Sequence, residues 1–185
     1  MLFRSHGHRA VGLAAGPQVG GQAQVFLLHR LQLGRGLHLE QGAFLQPAAA
    51  DDIEVGKVRG QRQAKLMAKW ILQHQPKKMR VVASPTVRTQ QTVAALELPF
   101  ETNRKIGPDA CVSELIAATG WPSASGAVLL VGHQPSLGRL ASLLLAGQEG
   151  EWTIKKGALW WLTNRVRAGE NQTVLRTVMS TDFLV

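Results

Sequence analysis

Apolar residues recur along this chain with two different spacings, one typical of helices and one of buried strands. Four segments carry them at intervals of three and four residues, as in a helix that buries one face. These predicted helices are residues 61–75, 86–96, 111–118 and 135–145. Five shorter apolar runs predict strands, at residues 23–28, 80–84, 127–131, 158–166 and 173–180. Because strands and helices alternate, we expect an α/β fold, a three-layer α/β/α sandwich with a mainly parallel sheet.

Length and composition exclude several classes of protein. A chain of 185 residues suggests one domain, and an apolar fraction of 45% is typical of a globular protein. No stretch approaches the ~18 consecutive apolar residues of a membrane-spanning helix. The single cysteine, Cys111, excludes an intramolecular disulfide, so we expect a reducing compartment and a cytoplasmic protein.

The charge is distributed unevenly, with a change near residue 57. All eight lysines lie at or after Lys57, and residues 57–185 hold the whole formal net charge of +9. Residues 1–56 are neutral and have weak periodicity apart from the strand at 23–28. We therefore divide the chain into an atypical N-terminal segment (1–56), disordered or not native to the domain, and a domain at 57–185. The positive surplus indicates an anionic partner.

The first candidate for chemistry is the loop that follows the strand at 80–84. In open α/β sheets, ligands bind beyond the carboxyl ends of the strands. Pro85 favours a helix start here, which places Arg88 one turn into the next helix, near its positive end. A guanidinium at that position can form hydrogen bonds to two phosphate oxygens at once. The alternative is a solvated surface arginine on an amphipathic helix.

The second candidate follows the strand at 127–131. Gly132 permits close backbone approach, and His133 falls at the strand's carboxyl end, just before a new helix. An imidazole there could hydrogen-bond a phosphoryl oxygen and stabilise charge in a transition state. The alternative is a histidine that only satisfies its own hydrogen bonds at a strand end.

Together, the two loops resemble a known family. The motif S-P-x-x-R-x-x-Q-T begins at Ser84, and G-H-x-P-x-L-G begins at Gly132, about forty residues after the first motif ends. This order resembles the phosphoglycerate mutase-like histidine phosphatase superfamily. Its small SixA-type phosphohistidine phosphatases are similar also in the segment R-G-x-R-Q-A-x-x-M-A-x-W that begins at Arg59. The resemblance covers approximately residues 57–185.

The resemblance implies a function and a partner. In such enzymes a histidine in an R-H-G or R-H-A motif attacks phosphorus, and water hydrolyses the phosphohistidine intermediate. The resemblance makes Arg88 the second arginine and His133 the second histidine of the phosphate pocket, which needs no metal or other cofactor. It implies a phosphohistidine phosphatase acting on a phosphohistidine-bearing protein. The alternatives are a small-molecule phosphomonoesterase and a non-catalytic phosphate- or phosphoprotein-binding module. We expect a monomer that binds neither membrane nor nucleic acid, since the positive charge is scattered and shows no binding motif.

The chain departs from the family at the nucleophile, because it contains no R-H-G or R-H-A motif. The best strand followed by a histidine is the run that ends in His29-Arg30, where the two residues stand in inverted order. Successive strand residues point to opposite faces, so the inversion should misdirect one of them. Three accounts follow: His29 and Arg30 replace the motif, the protein binds phosphate without turnover, or residues 1–56 are not the native start. The general acid is also unassigned.

Two further features have two interpretations each. Lys155 and Lys156 could draw an anionic substrate to the pocket mouth, or form a charge pair on an exposed turn, which we prefer. Trp160 and Trp161 are consecutive on a predicted strand and so should point to opposite faces, with at least one in the core. The six histidines lack the spaced partners of a metal site.

Overall fold

The computed structural model describes residues 24–29 and 50–184, of which 24–29 and 50–57 are described by their backbone alone. Six strands are present in this part of the chain: β1 (Gln24–His29), β2 (Met79–Ala83), β3 (Glu101–Thr102), β4 (Ala127–Gly132), β5 (Leu159–Arg167) and β6 (Glu170–Met179). The helices are α1 (Ala50–His74), α2 (Val87–Ala94), α3 (Val112–Thr119) and α4 (Ser136–Ala146). Single turns of 3-10 helix lie at Arg104–Ile106 and Thr181–Phe183.

The strands form one six-stranded sheet in the order β3-β2-β4-β1-β5-β6. β3, β2, β4 and β1 run parallel to one another, whereas β5 pairs antiparallel with both β1 and β6. The predicted α/β fold with a mainly parallel sheet is therefore confirmed. β5 and β6 form a hairpin whose two-residue turn is Ala168-Gly169, both with positive φ, as a tight primed turn requires.

Helices cover both faces of the sheet, and β4 shows the division most clearly. All six of its residues are buried. Val128 and Leu130 belong to the core beneath α3 and α4. Ala127, Leu129 and Val131 belong to the core beneath α1 and α2. The alternation of side chains along a strand thus builds two cores from one apolar run, and the three-layer α/β/α arrangement is confirmed.

The tryptophan pair on β5 follows the same alternation. Trp160 packs against the α3 and α4 core, and Trp161 packs against the α1 and α2 core, where it meets Trp70 edge to face at 6.5 Å. Both side chains are partly buried. The expectation that they point to opposite faces is confirmed.

Two elements differ from the sequence prediction. α1 begins at Ala50, eleven residues before the predicted start at 61, because the acids at Asp51, Asp52 and Glu54 suit a helix N-terminus although the apolar periodicity begins later. β3 was not predicted, since its two residues are exposed and carry no apolar pattern. Both α1 and β1 include residues before Lys57, so the described fold uses chain on both sides of the composition change. The division at that residue stays a prediction.

No helix among the described residues has the length and apolar character needed to cross a membrane.

Candidate active site

Three parallel strands bring the candidate residues to one edge of the sheet. In the registers of β2, β4 and β1, Ala83 pairs with Val131, and His29 pairs with Gly132. The carboxyl ends of these strands therefore lie side by side, and the loops after β2 and β4 leave the sheet together. The backbone N–H of Ser84 extends the ladder by donating to the Val131 carbonyl at 3.0 Å.

His133 is buried at this edge and bonded to the loop after β2. Its side chain lies 2.7 Å, Nε2 to Oγ, from Ser84. His133 is 2% exposed and Ser84 is 0% exposed, so the bond is shielded from solvent. The structure thus joins the two sequence motifs through a direct side-chain contact. No role for Ser84 was predicted from the sequence, although this residue opens the first motif.

The loop from Ser84 to Gln90 is held by a second set of hydrogen bonds. Thr89 Oγ1 donates to the Ser84 carbonyl at 2.7 Å, and Gln90 Nε2 donates to the same oxygen at 2.6 Å. The first turn of α2 is thereby tied to the end of β2. Thr89 and Gln90 are the two unspecified positions between Arg88 and the Gln-Thr pair that ends the motif.

Arg88 lies in this anchored first turn of α2. Its side chain is half-buried, and its carbonyl accepts from Thr92 Oγ1 at 2.8 Å. Among the residues whose side chains are described, none hydrogen-bonds or ion-pairs with the Arg88 guanidinium. A guanidinium near a helix N-terminus provides fixed positive charge to a bound anion, and the backbone dipole adds to it. The predicted roles of Arg88 and His133 in phosphate binding stay predictions.

The start of α4 is anchored to two further loops. Ser136 Oγ donates to the Ala110 carbonyl at 2.6 Å in a buried contact. Gln134 accepts from the Gly138 backbone N–H at 2.9 Å and donates to the Trp152 carbonyl at 3.2 Å. A Cβ at Gly138 would lie 1.8 Å from that same carbonyl oxygen, so only glycine allows the loop before β5 to approach α4 this closely. The backbone around His133 is therefore fixed by three separate segments.

The lysine pair lies in the loop before β5, which enters the sheet at the same edge because Leu28 pairs with Leu159 in antiparallel register. Lys155 is exposed and forms an ion pair with Asp182. The hydrogen bond from Lys155 is the main cause that holds the pKa of Asp182 below its ordinary value of 3.8. Lys155 thus belongs to an exposed ion pair, which agrees with the interpretation that the two lysines lie on an exposed turn.

The candidate nucleophile is placed by its backbone alone. His29 ends β1, a strand between β4 and β5 in the interior of the sheet. Arg30, the adjacent candidate for phosphate binding, lies outside the described residues. The structure thus brings the backbone of His29 to the edge where Ser84 and His133 meet.

Asp109 is a carboxylate beside the Ala110–Ser136 contact, and the sequence predicted no role for it. It is exposed and immediately precedes Ala110, the residue bonded to the first turn of α4. Its isolated position in a Gly-Pro-Asp turn gave no signal of a role. Within the described ranges, no group of three or more histidine, cysteine or acidic side chains is arranged to hold a metal ion.

Comparison with known proteins places this fold. No protein-family model matches the chain, and no curated protein matches it. Solved structures do match. A protein histidine phosphatase SixA complexed with tungstate aligns with a TM-score of 0.61 at 21% identity, over 88% of this chain and 99% of that one. A putative phosphohistidine phosphatase SixA from Nakamurella multipartitia aligns at 0.58 and 21%, over 86% and 96%. A phosphoglycerate mutase from Plasmodium falciparum aligns at 0.50 and 12%, over 85% and 90%.

These neighbours define the class of fold, that of the phosphoglycerate mutase-like histidine phosphatases. The match to the tungstate-bound SixA structure covers 88% of the chain, whereas residues 57–185 are only 129 of 185 residues. The structural likeness therefore extends before Lys57, beyond the span of the three sequence motifs. The suspected relationship to this superfamily is supported by fold and motifs together.

Proposed function

We propose that this protein is a phosphohistidine phosphatase of the SixA type, which removes phosphoryl groups from phosphohistidine-bearing proteins in the cytoplasm. The observation that carries the proposal is the bond between Ser84 and His133, which joins the two phosphate motifs at the carboxyl edge of a histidine-phosphatase fold. A tungstate ion in the aligned SixA structure indicates that this fold binds tetrahedral oxyanions.

The described residues support the binding part of the reaction. Phosphoryl transfer depends on positioning and on neutralising the charge of the equatorial oxygens. The Arg88 guanidinium supplies a permanent positive charge in an anchored helix turn, and His133 supplies a buried hydrogen-bond donor at the neighbouring strand end. No step in this scheme needs a metal ion.

The covalent part of the proposal assigns the nucleophile to His29. A ring nitrogen attacks phosphorus, so that an N–P bond forms while the bond to the leaving group breaks and the leaving group takes a proton. Water then attacks phosphorus, the N–P bond breaks, and inorganic phosphate is released with the imidazole restored. A phosphorylated imidazole leaves readily once protonated, so this substrate demands less of a general acid than an alkyl phosphate does.

The experiment that tests the proposal compares two substrates with the full chain. Turnover is measured with a histidine protein phosphorylated by phosphoramidate and with p-nitrophenyl phosphate, each with and without vanadate. We expect faster hydrolysis of the phosphohistidine, with inhibition by vanadate. Preference for the phosphate ester would instead support the small-molecule phosphomonoesterase. Absence of both turnover and vanadate binding would overturn the assignment.

One observation favours a second candidate, a phosphoprotein-binding module without turnover. His29 and Arg30 stand in inverted order relative to the family motif, and neighbouring strand residues point to opposite faces. In that case the chain binds vanadate and phosphohistidine protein but leaves the phosphoryl group in place. Restoring the family order with the double substitution His29→Arg and Arg30→His would then produce turnover.

A further inference from the structure

A furrow runs between α1 and α2, on the face of the sheet that these two helices cover. It holds a cavity of about 380 Å³, and among its lining residues Ala68 and Leu96 are buried and form an apolar floor. Leu72 lies on the α1 side of the furrow and is 38% exposed. The furrow therefore offers apolar surface to a segment of polypeptide that lies along it.

Two lysines line the same furrow. Lys65 and Lys69 are exposed and stand one turn apart on α1, and neither forms an ion pair within the described residues. Like charges at this spacing destabilise a helix, so an anion bound between them would be stabilising. Glu97, which is acidic, also lines the furrow, but it follows the end of α2. The positive charge is thus concentrated on the α1 side.

The furrow leads toward Arg88. Ala95 lines it from the end of α2 and keeps helical backbone angles. Arg88 precedes Ala95 by two helical turns, about 10 Å, and so lies on the same side of the helix. The first turn of α2 directly follows the loop from β2, at the carboxyl edge of the sheet. A ligand in the furrow therefore has the candidate phosphate-binding arginine at one end of its path.

We propose that this furrow docks an acidic segment of the phosphoprotein substrate, with an apolar side chain of that segment on Leu72. The inference rests on the proposed function, since it names a part of the substrate that binds outside the site. Carboxylates of the segment pair with Lys65 and Lys69, and the phosphohistidine extends toward Arg88. A polypeptide is favoured over a nucleic acid because single-stranded nucleic acids are held by cations together with aromatic side chains, whereas this furrow combines cations with aliphatic ones.

The test measures binding of a defined peptide to the full chain by fluorescence anisotropy. The probe is a labelled peptide of about 16 residues, roughly four helical turns, with leucines on one face and glutamates beside them. Two further probes replace the glutamates by glutamine or the leucines by serine, which tests the same contacts without changing the protein. The protein variants are the double substitution Lys65→Gln and Lys69→Gln, and the single substitution Leu72→Ser.

Matched control variants lie on other surfaces of the protein. The double substitution Lys105→Gln and Arg167→Gln also removes two exposed cations, one from the 3-10 turn before α3 and one from the end of β5. Leu175→Ser alters a leucine of similar exposure, 42%, on the edge strand β6. Urea unfolding checks that each variant keeps its fold.

We expect the acidic peptide to bind the unchanged protein, and to bind it less tightly as salt is added, because exposed charges are screened. Loss of both furrow lysines should weaken binding roughly tenfold, about the effect of two exposed ion pairs. Leu72→Ser should weaken it roughly fivefold through lost apolar contact. The control variants should bind as the unchanged protein does. With a form of the peptide that ends in phosphohistidine, the furrow variants should raise KM, while turnover of p-nitrophenyl phosphate stays the same.

Three results would overturn the inference. The first is absence of peptide binding, and the second is an equal loss of affinity in the furrow variants and their controls. The third is a single-stranded oligonucleotide or anionic vesicles of phosphatidylglycerol binding as tightly as the peptide through the same lysines. Peptide binding that depends on Lys65, Lys69 and Leu72, without turnover of any phosphorylated substrate, would instead count against the proposed catalysis and support the furrow as a docking site.

Discussion

His29 and Gly132 are direct partners in the parallel register of β1 and β4. The last residue of β1 therefore lies beside the residue that precedes His133, in the interior of the sheet. This placement follows from the backbone pairing alone and makes His29 the histidine that the described strands bring closest to the loop containing His133. It gives the nucleophile assignment a precise test.

We expect His29→Ala to abolish formation of an acid-labile, alkali-stable phosphoenzyme while leaving vanadate binding within a few fold of the unchanged protein. The reason is that covalent capture needs the ring nitrogen, whereas the cationic groups that bind the anion stay in place. Phosphoenzyme is measured by rapid quench with radiolabelled phosphohistidine protein. The control is His74→Ala. His74 ends α1 shortly before β2 begins, toward the amino ends of the parallel strands, and it stacks on Trp70. Full activity in His29→Ala would exclude this residue as the nucleophile.

A second prediction concerns the guanidinium in the first turn of α2. Arg88→Ala should weaken vanadate or phosphate binding at least a hundredfold, because two charge-assisted hydrogen bonds are lost together. Arg88→Lys should recover only part of that loss, since a lysine cannot make the bidentate contact. Affinity is measured by calorimetry, and circular dichroism checks that the fold is kept.

The matched control for Arg88 is Arg165→Ala. Arg165 lies on β5 two residues past Thr163, which pairs with the first residue of β1, and so near the amino ends of the parallel strands. Its guanidinium donates to Gln172 Oε1. This substitution removes the same charge from the protein without touching the candidate site. Equal losses in the two variants would mean that net charge, and not a pocket at Arg88, determines oxyanion affinity.

The sequence predicted most of the fold because the pattern of burial is local. The uninterrupted apolar run of β4 indicated a strand covered on both faces, and the two cores confirm it. The periodicity of α4 was equally readable. By contrast, β3 has two exposed residues and pairs only through its backbone, which leaves no side-chain pattern to detect.

The sequence alone could select candidate residues for the site but not the contacts between them. Arg88 and His133 could be selected because each follows a strand in the chain. The bond from Ser84 to His133 joins residues 49 positions apart, and a serine before a proline is common at any helix start. The close approach of Trp152 to Gly138 is likewise a tertiary contact between separate elements. Such contacts depend on how strands are paired, which local periodicity does not encode.

A third prediction tests the anchoring of α4 at Gly138. Replacement of an interior helical glycine by alanine ordinarily stabilises a helix by up to about 1 kcal/mol. Here the added Cβ would lie 1.8 Å from the Trp152 carbonyl oxygen and 2.9 Å from Gln134 Oε1, so the loop or the helix must move. We expect Gly138→Ala to lower the free energy of unfolding by about 1–3 kcal/mol, as overpacking does.

Urea unfolding measures this change, with Gly107→Ala as the control. A Cβ at Gly107 would meet its nearest atom at 3.9 Å, an ordinary contact, so that variant should unfold close to the unchanged protein. A stabilised Gly138→Ala protein would show that the loop before β5 does not pack on α4 as described.

The N-terminus of α3 gives a prediction about pH. Glu114 accepts from the backbone N–H of Cys111 at 3.0 Å, and this bond is the largest cause that lowers the pKa of Glu114 from its ordinary value of 4.5. A carboxylate whose pKa is lowered by folding stabilises the folded state fully above its unfolded pKa. The contribution is lost as the pH falls through the lowered pKa.

Glu114→Ala should therefore reduce the Tm at pH 7, and the difference from the unchanged protein should shrink steadily below pH 4.5. Thermal unfolding is followed by circular dichroism across this range, with the exposed Glu149→Ala as a control that removes equal charge without touching a helix N-terminus. A difference in Tm that stays constant from pH 7 to acid would show that the charge of Glu114 does not contribute to capping α3.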